Sequence, residues 1–361
     1  MPAGMFLPLL HMTSFSAATA PSFLTAEQVE TGAVPAEKQP KDARQALETL
    51  KAHVAAGLAR APKTLSSMYF YDDEGSRLFQ QIMALPEYYP TRTEFALLTQ
   101  HQAALAAALR PQAAGESFFL LELGAGDGLK TKILLRHLLD TGASFTYVPV
   151  DISGAALDGL AASLRQELPT LRVEPVVAEY GTALRLMAAR PGRKVVLFLG
   201  SNIGNFLPAD RQAFLRELAA PLSPDDRLLI GFDLQKDPRF IRAAYDDTQG
   251  VTAAFNLNLL TRLNRELGAD FDLSAWQHYT DYDPLAGAVR SFLMPTEAQR
   301  VHIAALNKSF DFAAWEPIHT ENSYKFTEPQ INGLAAEAGL TVAEFFTDEQ
   351  TYFADVVLRP T

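Results

Sequence analysis

Between residues 115 and 234 the sequence alternates short apolar runs with helical segments, and this alternation constrains the fold more than any other feature. The first two helical segments cover residues 129–139 and 155–167. Continuous apolar runs separated by helices are typical of parallel strands that are covered on both faces. The sequence therefore predicts a doubly wound, Rossmann-like α/β unit that ends near Leu234. The apolar runs are SFFLLEL, FTYVPVD, VEPVVAEY, KVVLFLGS and RLLIGFDL.

The rest of the chain predicts a second domain of the α+β class. Residues 240–267 favour one or two long helices that end at Gly268, because a glycine commonly follows the last helical turn. Four later segments have the character of strands: SFLMP, QRVHIAAL, IHTENSYKF and TYFADVVLRP. The predicted organisation is an N-terminal arm at 1–41, a sheet domain at 93–234, and a second domain formed by 42–92 and 235–361.

Composition argues against several classes of function. The 361 residues carry a formal net charge of -11 without a cluster of Lys and Arg, so we expect no nucleic-acid partner. There is no cysteine, and the seven histidines form no ligand pair, so we expect no metal site. No apolar run approaches the roughly 20 residues that cross a bilayer, and the arm lacks the pattern of a signal peptide. We therefore expect a cytoplasmic monomer whose partner is a small molecule.

A glycine-rich turn, GAGDG at residues 124–128, follows the first predicted strand and opens a helix. Such a turn places backbone N–H groups and a helix N-terminus beside a ligand. Leu129 stands where a dinucleotide fingerprint needs its third glycine, and also where a Walker loop needs the glycine before its lysine. Both readings with a diphosphate are therefore weak, and a nucleoside without a pyrophosphate fits better.

Acidic residues at the ends of the next two predicted strands support a nucleoside ligand. Asp151 ends the second strand, where its carboxylate can accept hydrogen bonds from both ribose hydroxyls. Glu179 and Tyr180 close the third predicted strand, in position to meet an adenine. The alternative is an ordinary strand–helix turn in which Asp151 caps the next helix.

Several long motifs, taken together, resemble the L-histidine Nα-methyltransferases of ergothioneine biosynthesis. The resemblance covers about residues 60 to 358. It implies a methyltransferase sheet that binds S-adenosylmethionine (SAM) as co-substrate, a second domain for the amino acid, and the product Nα,Nα,Nα-trimethylhistidine, or hercynine. The motifs are MYFYDDEGSRLFQQIMALPEYYPTRTE, LELGAGDGLKTKILL, YVPVDIS, FLGSNIGNF, YDDTQGVTAAFNLNLLTRLNRELGADFDL and TENSYKF.

The resemblance implies two sets of site residues. The position of Glu179 is more often an aspartate in this family. Ser291 replaces a methionine that lines the ring pocket in actinobacterial members, which enlarges and polarises that pocket. The residues implied to contact SAM are Tyr71, Gly124, Lys130, Asp151, Glu179 and Tyr180. Those implied to contact the amino acid are Tyr88, Gly200, Asn205, Tyr245, Ser291, Glu321 and Ser323.

The spacing of Glu321 and Ser323 suits an imidazole ring. Residues two apart on a strand point to the same face, with backbones about 6 to 7 Å apart. A carboxylate can accept one imidazole N–H while a hydroxyl meets the other nitrogen, whereas an indole would leave one partner idle. The alternative is a solvated strand face on which Lys325 is an ion-pair partner.

Asn205 and the two tyrosines have their own chemical roles. Asn205 follows the fourth strand at the carboxyl edge of the sheet, where its amide can bind a carboxylate. Tyr245 and Tyr88 offer phenols to the same carboxylate or to the amine, and the alternative for each is aromatic packing between the domains. Methyl transfer to an amine needs alignment and an exit for a proton. We expect Tyr71 to orient the methyl and amine groups, and Tyr88 to pass the proton out through water.

Other functions stay open at this point. The same fold can methylate a ring nitrogen of histidine, tryptophan or a prenylated tryptophan. A non-catalytic protein that binds SAM or an amino acid is a rival of a different kind, which the complete set Tyr71, Lys130, Asp151 and Asn205 disfavours. A dehydrogenase is a weaker rival because of Leu129.

Overall fold

The computed structural model describes residues 40–111 and 115–361, and for residues 40–43 it describes the backbone only. Most of the predicted N-terminal arm therefore lies outside the described residues. The chain divides into residues 1–48 and 49–361, and the structure described below is that of the second unit. The helices are α1 (Pro40–Leu58), α2 (Asp73–Ala84), α3 (Tyr89–Leu109), α4 (Thr131–Asp140), α5 (Gly154–Glu167), α6 (Tyr180–Ala188), α7 (Pro208–Ala219), α8 (Pro238–Ala243), α9 (Val251–Leu267) and α10 (Glu328–Glu337). The strands are β1 (Lys63–Thr64), β2 (Phe118–Leu123), β3 (Phe145–Asp151), β4 (Arg172–Val173), β5 (Val176–Val177), β6 (Arg193–Phe198), β7 (Arg227–Asp233), β8 (Trp276–Asp283), β9 (Ala288–Pro295), β10 (Gln299–Ile303), β11 (Lys308–Phe312), β12 (Ile318–Tyr324), β13 (Leu340–Thr347) and β14 (Phe353–Pro360).

The large sheet confirms the predicted doubly wound α/β unit. Its strand order is β13-β14-β7-β6-β2-β3-β4, and β5 also pairs with β3. The strands from β2 to β7 run parallel, as their continuous apolar sequences predict. Helices α6, α7 and α10 pack on one face, and α3, α4 and α5 pack on the other.

The third predicted strand is shorter than expected. Strand pairing stops at Val177 and is divided into β4 and β5, because Pro175 lies between them and has no N–H for the ladder. Tyr180 begins α6 rather than closing a strand, and Glu179 is the residue just before that helix. Both side chains still lie beyond the carboxyl end of this edge of the sheet.

The last two strands belong to the large sheet. β14 pairs antiparallel with β7 and with β13, so residues 340–360 extend the sheet at one edge. The predicted second domain includes all of 235–361, but these two strands pair with the large sheet. A buried, mostly apolar segment such as FADVVL can form a strand in either sheet. Only its pairing partner shows which sheet it joins. The other proposed domain boundaries stay predictions.

A smaller, mostly antiparallel sheet has the order β1-β12-β9-β8, and β10 and β11 form a separate hairpin. The hydrophobic core beside the smaller sheet includes side chains of α1, α2 and α9 together with Trp276, Leu293 and Ile318. α9 ends at Gly268 in the left-handed conformation, as predicted. The strands β1, β8, β11 and β13 were not predicted.

The two sheets meet at the carboxyl edge of the large one. A short 3-10 helix, Asn202–Asn205, follows β6 and touches β12. A side chain on Gly204 would lie 2.8 Å from the backbone oxygen of Tyr324, so only a glycine allows this approach. Beyond β12, Phe326 forms a parallel bridge with Leu234. This contact brings residues of β12 to the edge where parallel α/β sheets bind their ligands.

Candidate active site

The glycine turn lies between β2 and α4, with Gly124, Gly126 and Gly128 all in the left-handed backbone region. Asp151, at the end of β3, accepts hydrogen bonds from the N–H groups of Gly126 (3.0 Å) and Ser153 (2.9 Å). The turn is therefore tied to the neighbouring strand through this carboxylate. Ser153, not Asp151, caps α5, which counts against reading Asp151 as the helix cap.

Tyr180 closes one side of the turn. A side-chain carbon on Gly124 would lie 2.9 Å from the Tyr180 hydroxyl oxygen, so the two are in close contact. The Tyr180 ring packs edge-on against Phe198, and burial raises the pKa of its phenol well above the usual value. Glu179, the residue before it, is exposed. The turn, Asp151 and Tyr180 thus surround one concave surface that an exposed carboxylate borders.

Lys130 and a buried carboxylate lie at the inner end of the turn. Lys130 forms an ion pair with Glu94, which is fully buried on α3. Glu94 also accepts a hydrogen bond from the Gly200 N–H at 2.7 Å. The turn after β2 and the turn after β6 are therefore joined through Glu94. Glu94 is not among the predicted site residues, although it is the last residue of the motif at 68–94.

An aromatic cavity adjoins Gly200. The rings of Tyr71 and Phe255 are 5.8 Å apart, and those of Tyr88 and Tyr245 are 6.1 Å apart. Burial raises the pKa of each of the three phenols well above its usual value, so all three are neutral at physiological pH. The other residues that line this cavity include Phe79, Asn202, Asn205, Asp233, Thr252, Asn256, Glu321 and Ser323.

The far wall of the cavity is formed by β12. Glu321 and Ser323 both line it, as their two-residue spacing predicts. Burial raises the pKa of Glu321 to about 7, and the nearby Lys325 opposes that rise. The Ser323 hydroxyl lies 2.8 Å from the Tyr245 hydroxyl. This wall presents one carboxyl and one pair of hydroxyls to a ligand.

Lys325 is buried, and the solvated-face alternative for this strand is therefore wrong. Its side chain is inaccessible to solvent and forms an ion pair with Asp233 at 2.8 Å. It also donates hydrogen bonds to Tyr245 and Ser323. Asp233 forms a second ion pair with the ammonium group of Lys236. This cluster is absent from the sequence-based prediction, because a lysine four residues from a glutamate usually lies on a solvent-exposed surface.

Ser291 is the exception among the predicted amino-acid contacts. It is buried on β9 and lies opposite Glu321 in the strand register, but it does not line the cavity. The other predicted residues fall into two adjoining groups. Around the glycine turn lie Gly124, Lys130, Asp151, Glu179 and Tyr180. Around the cavity lie Tyr71, Tyr88, Gly200, Asn205, Tyr245, Glu321 and Ser323.

Comparisons with known proteins agree with this arrangement. Residues 50–360 match the sequence model of the family described as histidine-specific methyltransferase, SAM-dependent. The histidine N-alpha-methyltransferase of Mycolicibacterium smegmatis is 42% identical over 306 residues, which are 85% of this chain and 93% of that protein. Ergothioneine biosynthesis protein 1 of Neurospora crassa is 30% identical over 297 residues, which are 81% of this chain and 32% of that protein. The 4-dimethylallyltryptophan N-methyltransferase of Claviceps fusiformis is 26% identical over 327 residues, which are 84% of this chain and 89% of that protein.

Within the described residues, no helix is both long and apolar enough to span a membrane. The same residues contain no group of three His, Asp or Glu side chains that could hold a metal ion.

Proposed function

Because the chain belongs to the histidine-specific, SAM-dependent methyltransferases, we propose that it methylates the α-amino nitrogen of L-histidine and forms Nα,Nα,Nα-trimethylhistidine (hercynine) for ergothioneine biosynthesis. SAM is the methyl donor of this family. The observation that carries the choice of acceptor is the pairing of a carboxyl with a hydroxyl on one wall of the cavity. Glu321 and Ser323 match the two nitrogens of an imidazole, and an indole would leave one of them without a partner.

In this proposal the glycine turn and its neighbours bind SAM. Each oxygen of Asp151 already accepts one backbone N–H and accepts from a ribose hydroxyl with its remaining lone pair. Tyr180 with Glu179 borders the adenine. Lys130 faces the methionyl end, and Tyr71 lies where the donor and the aromatic cavity adjoin. The left-handed glycines support this assignment, because residues without a side chain let the backbone of the turn approach a ligand closely.

The acceptor amino acid occupies the aromatic cavity in this proposal. Asn205 and Tyr245 bind its carboxylate, and Glu321 with Ser323 binds its ring. Gly200 has no side chain, and a carbon added there would lie 3.2 Å from the Lys130 nitrogen, so the position leaves room where donor and acceptor meet. Ser291 is buried beside Glu321 on the neighbouring strand and does not line the cavity, so it has no direct contact with the ring in this proposal.

Methyl transfer requires an amine lone pair in line with the sulfonium methyl. A carbon–nitrogen bond forms, the carbon–sulfur bond breaks, and the amine loses a proton for each transfer that starts from an N–H. We assign to Tyr71 the orientation of methyl and amine. Tyr88 is neutral because burial raises the pKa of its phenol, so its proposed role is to relay the proton through its hydroxyl and water. A free phenolate base is not part of this scheme.

The proposal is tested by incubating the protein with SAM and with histidine, tryptophan, tyrosine or phenylalanine, followed by mass spectrometry. We expect methylation of histidine, with fragments that carry the added methyl groups on the α-nitrogen. Methylation of tryptophan alone would overturn the acceptor assignment, and methyl groups on the ring would overturn the choice of nitrogen.

A matched pair of variants tests the role of Glu321. Replacing Glu321 by Gln removes the carboxylate, and we expect kcat/KM for histidine to fall roughly ten- to a hundredfold, the usual range for losing a charged hydrogen bond. Replacing Asn322 by Ala changes the adjacent residue, which points to the other face of β12 and hydrogen-bonds His319. Equal losses for both variants would contradict the assignment. The cytoplasmic location, the monomeric state and the lack of a metal stay predictions.

A further inference from the structure

The hydrogen bonds of Lys325 are fully committed. An ammonium group has three hydrogens. The Lys325 nitrogen lies 2.8 Å from a carboxylate oxygen of Asp233, 2.8 Å from the Tyr245 hydroxyl and 2.8 Å from the Ser323 hydroxyl. Because the side chain has no exposed surface, no water competes for these hydrogens. Both cavity hydroxyls therefore accept a hydrogen bond from the same buried cation.

The two hydroxyls have one hydrogen left for a ligand. Tyr245 and Ser323 each carry one O–H, and their oxygens are 2.8 Å apart, so one hydroxyl donates to the other. The hydroxyl that accepts in this pair keeps its own hydrogen for the cavity. Whichever hydroxyl donates into the cavity, the ammonium group of Lys325 strengthens the hydrogen bond that it makes to a ligand.

The charge of the cluster around Asp233 favours an anionic ligand group beside the two hydroxyls. Asp233 is the only carboxylate that contacts two buried ammonium groups, those of Lys236 and Lys325, within the described part of the chain. Despite its burial, these two cations hold the pKa of Asp233 below its usual value. The cluster therefore has more positive than negative charge. A buried excess of positive charge favours an anionic group nearby.

We propose that Lys325 is a positioning residue that binds the α-carboxylate of the substrate indirectly, through the hydroxyl of Tyr245. This inference rests on the proposed function. The carboxylate takes the hydrogen of Tyr245, and Ser323 then donates its own hydrogen to Tyr245. Ser323 is left as an acceptor for a ring N–H, and Glu321 faces the other ring nitrogen. The carboxylate and the ring of one amino acid are thus recognised through a single chain of hydrogen bonds.

Two lysine variants separate this relay from a general effect of charge. Replacing Lys325 by Met removes one cation from Asp233 together with the hydrogen bonds to Tyr245 and Ser323. Replacing Lys236 by Met removes the other cation from the same carboxylate. Lys236 donates to Tyr89 and makes no hydrogen bond to the cavity hydroxyls. The two variants therefore make the same change in charge, and only the first breaks the relay.

The measurement is calorimetric binding of histidine and of histidinol, which lacks the carboxylate, in the presence of S-adenosylhomocysteine. We expect the preference of the wild type for histidine over histidinol to fall roughly ten- to a hundredfold in the Lys325 variant, as for loss of a charge-assisted hydrogen bond. The Lys236 variant should keep most of that preference. The preference surviving in the Lys325 variant, or being lost equally in both variants, would overturn the relay.

Two further measurements keep the outcome decisive. Lys325 makes no contact with the glycine turn, so affinity for S-adenosylhomocysteine reports whether each variant is folded. If the Lys325 variant does not fold, replacing Tyr245 by Phe removes only the relaying hydroxyl, and the same loss of preference is expected. A wild type that binds no histidine would overturn the proposed function instead. The amino acid that it does bind, compared with its amino alcohol, would then test Lys325.

Discussion

Two buried carboxyl groups lie over Gly231, and only one of them has partners. Glu94 is bound by Lys130 and by the Gly200 N–H. Asp355 on β14 is fully buried, and neither of its oxygens has a hydrogen-bond partner in the described structure. A carbon on Gly231 would lie 2.5 Å from an oxygen of Glu94 and 3.2 Å from one of Asp355, so the glycine makes room for both. Burial, and then the charge of Glu94, raises the pKa of Asp355 well above its usual value.

Replacing Asp355 by Asn should make the protein more stable at neutral and alkaline pH. A carboxyl whose folded-state pKa is raised stabilises the fold fully only below its unfolded pKa of about 3.9, and that stability is lost as the pH rises towards the folded value. For each unit by which folding raises the pKa, the free energy of unfolding falls by about 1.4 kcal/mol at a pH above both the folded-state and the unfolded-state pKa. Asparagine does not ionise, so we expect a gain of at least about 1 kcal/mol at pH 8. Chemical denaturation at pH 4 and pH 8 measures the difference.

Asp348 supplies the control, because its carboxylate accepts hydrogen bonds from the backbone N–H groups of Gln350, Tyr352 and Phe353. Its replacement by Asn should lower stability by about 1 kcal/mol. A loss of stability at pH 8 in the Asp355 variant would show that Asp355 is ionised and paired.

At the scale of single residues, the sequence predicted those site residues whose placement follows from a local sequence pattern. The glycine turn, Asp151 and the spacing of Glu321 with Ser323 are of this kind. Glu94, Asp233 and Lys325 were missed because their partners come from elements far away in sequence. Nothing next to Lys325 in the chain indicates that it is buried. Its environment is set by Asp233 at the end of β7 and by Tyr245, which follows α8. A single sequence does not specify that these residues meet Lys325.

The short 3-10 helix at Asn202–Asn205 fixes the distance between the two sheets. It begins after Ser201, whose left-handed backbone is unusual for a residue with a side chain and whose hydroxyl accepts from the Asp233 N–H. Arg211 on α7 holds the other side of the contact, with its guanidinium 4.5 Å from the ring centre of Tyr324. The helix carries Asn205, and β12 carries Glu321 and Ser323. Their separation determines the width of the cavity.

Replacing Gly204 by Ala should therefore impair binding of the amino acid more than binding of SAM. The added carbon would lie 2.8 Å from the Tyr324 oxygen, so β12 must move outward. We expect KM for histidine to rise about tenfold and stability to fall by about 1–3 kcal/mol, a typical cost of overpacking. Steady-state kinetics measures KM, calorimetry with S-adenosylhomocysteine measures binding at the SAM site, and chemical denaturation measures stability. Gly333 on α10 has open space around it, so its replacement by Ala is the control and should leave both constants unchanged. An unchanged KM for the Gly204 variant would show that β12 does not set the width of the cavity.

Among the elements, the long and strongly patterned ones were predictable and the short or polar ones were not. β3 matches its predicted span at both ends, because a seven-residue segment with five apolar or aromatic positions ends in Asp151. The segment at β4 and β5 misled the prediction because Pro175 interrupts pairing inside an apolar run. β8 reads WQHYTDYD and was not predicted, because its side chains alternate little in polarity.

Across the whole molecule, the order of the strands in the large sheet differs from their order along the chain. The chain leaves the large sheet after β7, builds the small sheet, and returns for β13 and β14. Phe353 and Val357 lie in the core on one face of the large sheet, and Val356 and Leu358 lie in the core on the other face. The C-terminal strands therefore complete the sheet that carries the proposed SAM site, although none of the proposed SAM contacts lies in them.

Removing residues 340–361 should accordingly abolish binding of S-adenosylhomocysteine. The deletion uncovers both cores and turns β7 into an edge strand, so Asp233 loses the backbone pairing that β14 provides through Phe353. Calorimetry with S-adenosylhomocysteine and thermal unfolding followed by circular dichroism measure the result. Removing Thr361 alone costs one backbone hydrogen bond, to Gly339, and should leave both signals almost unchanged. If the shortened chain bound S-adenosylhomocysteine with unchanged affinity, the last two strands would not be needed for the SAM site. The last two strands would then behave as part of the predicted second domain, 235–361, although they pair with the large sheet.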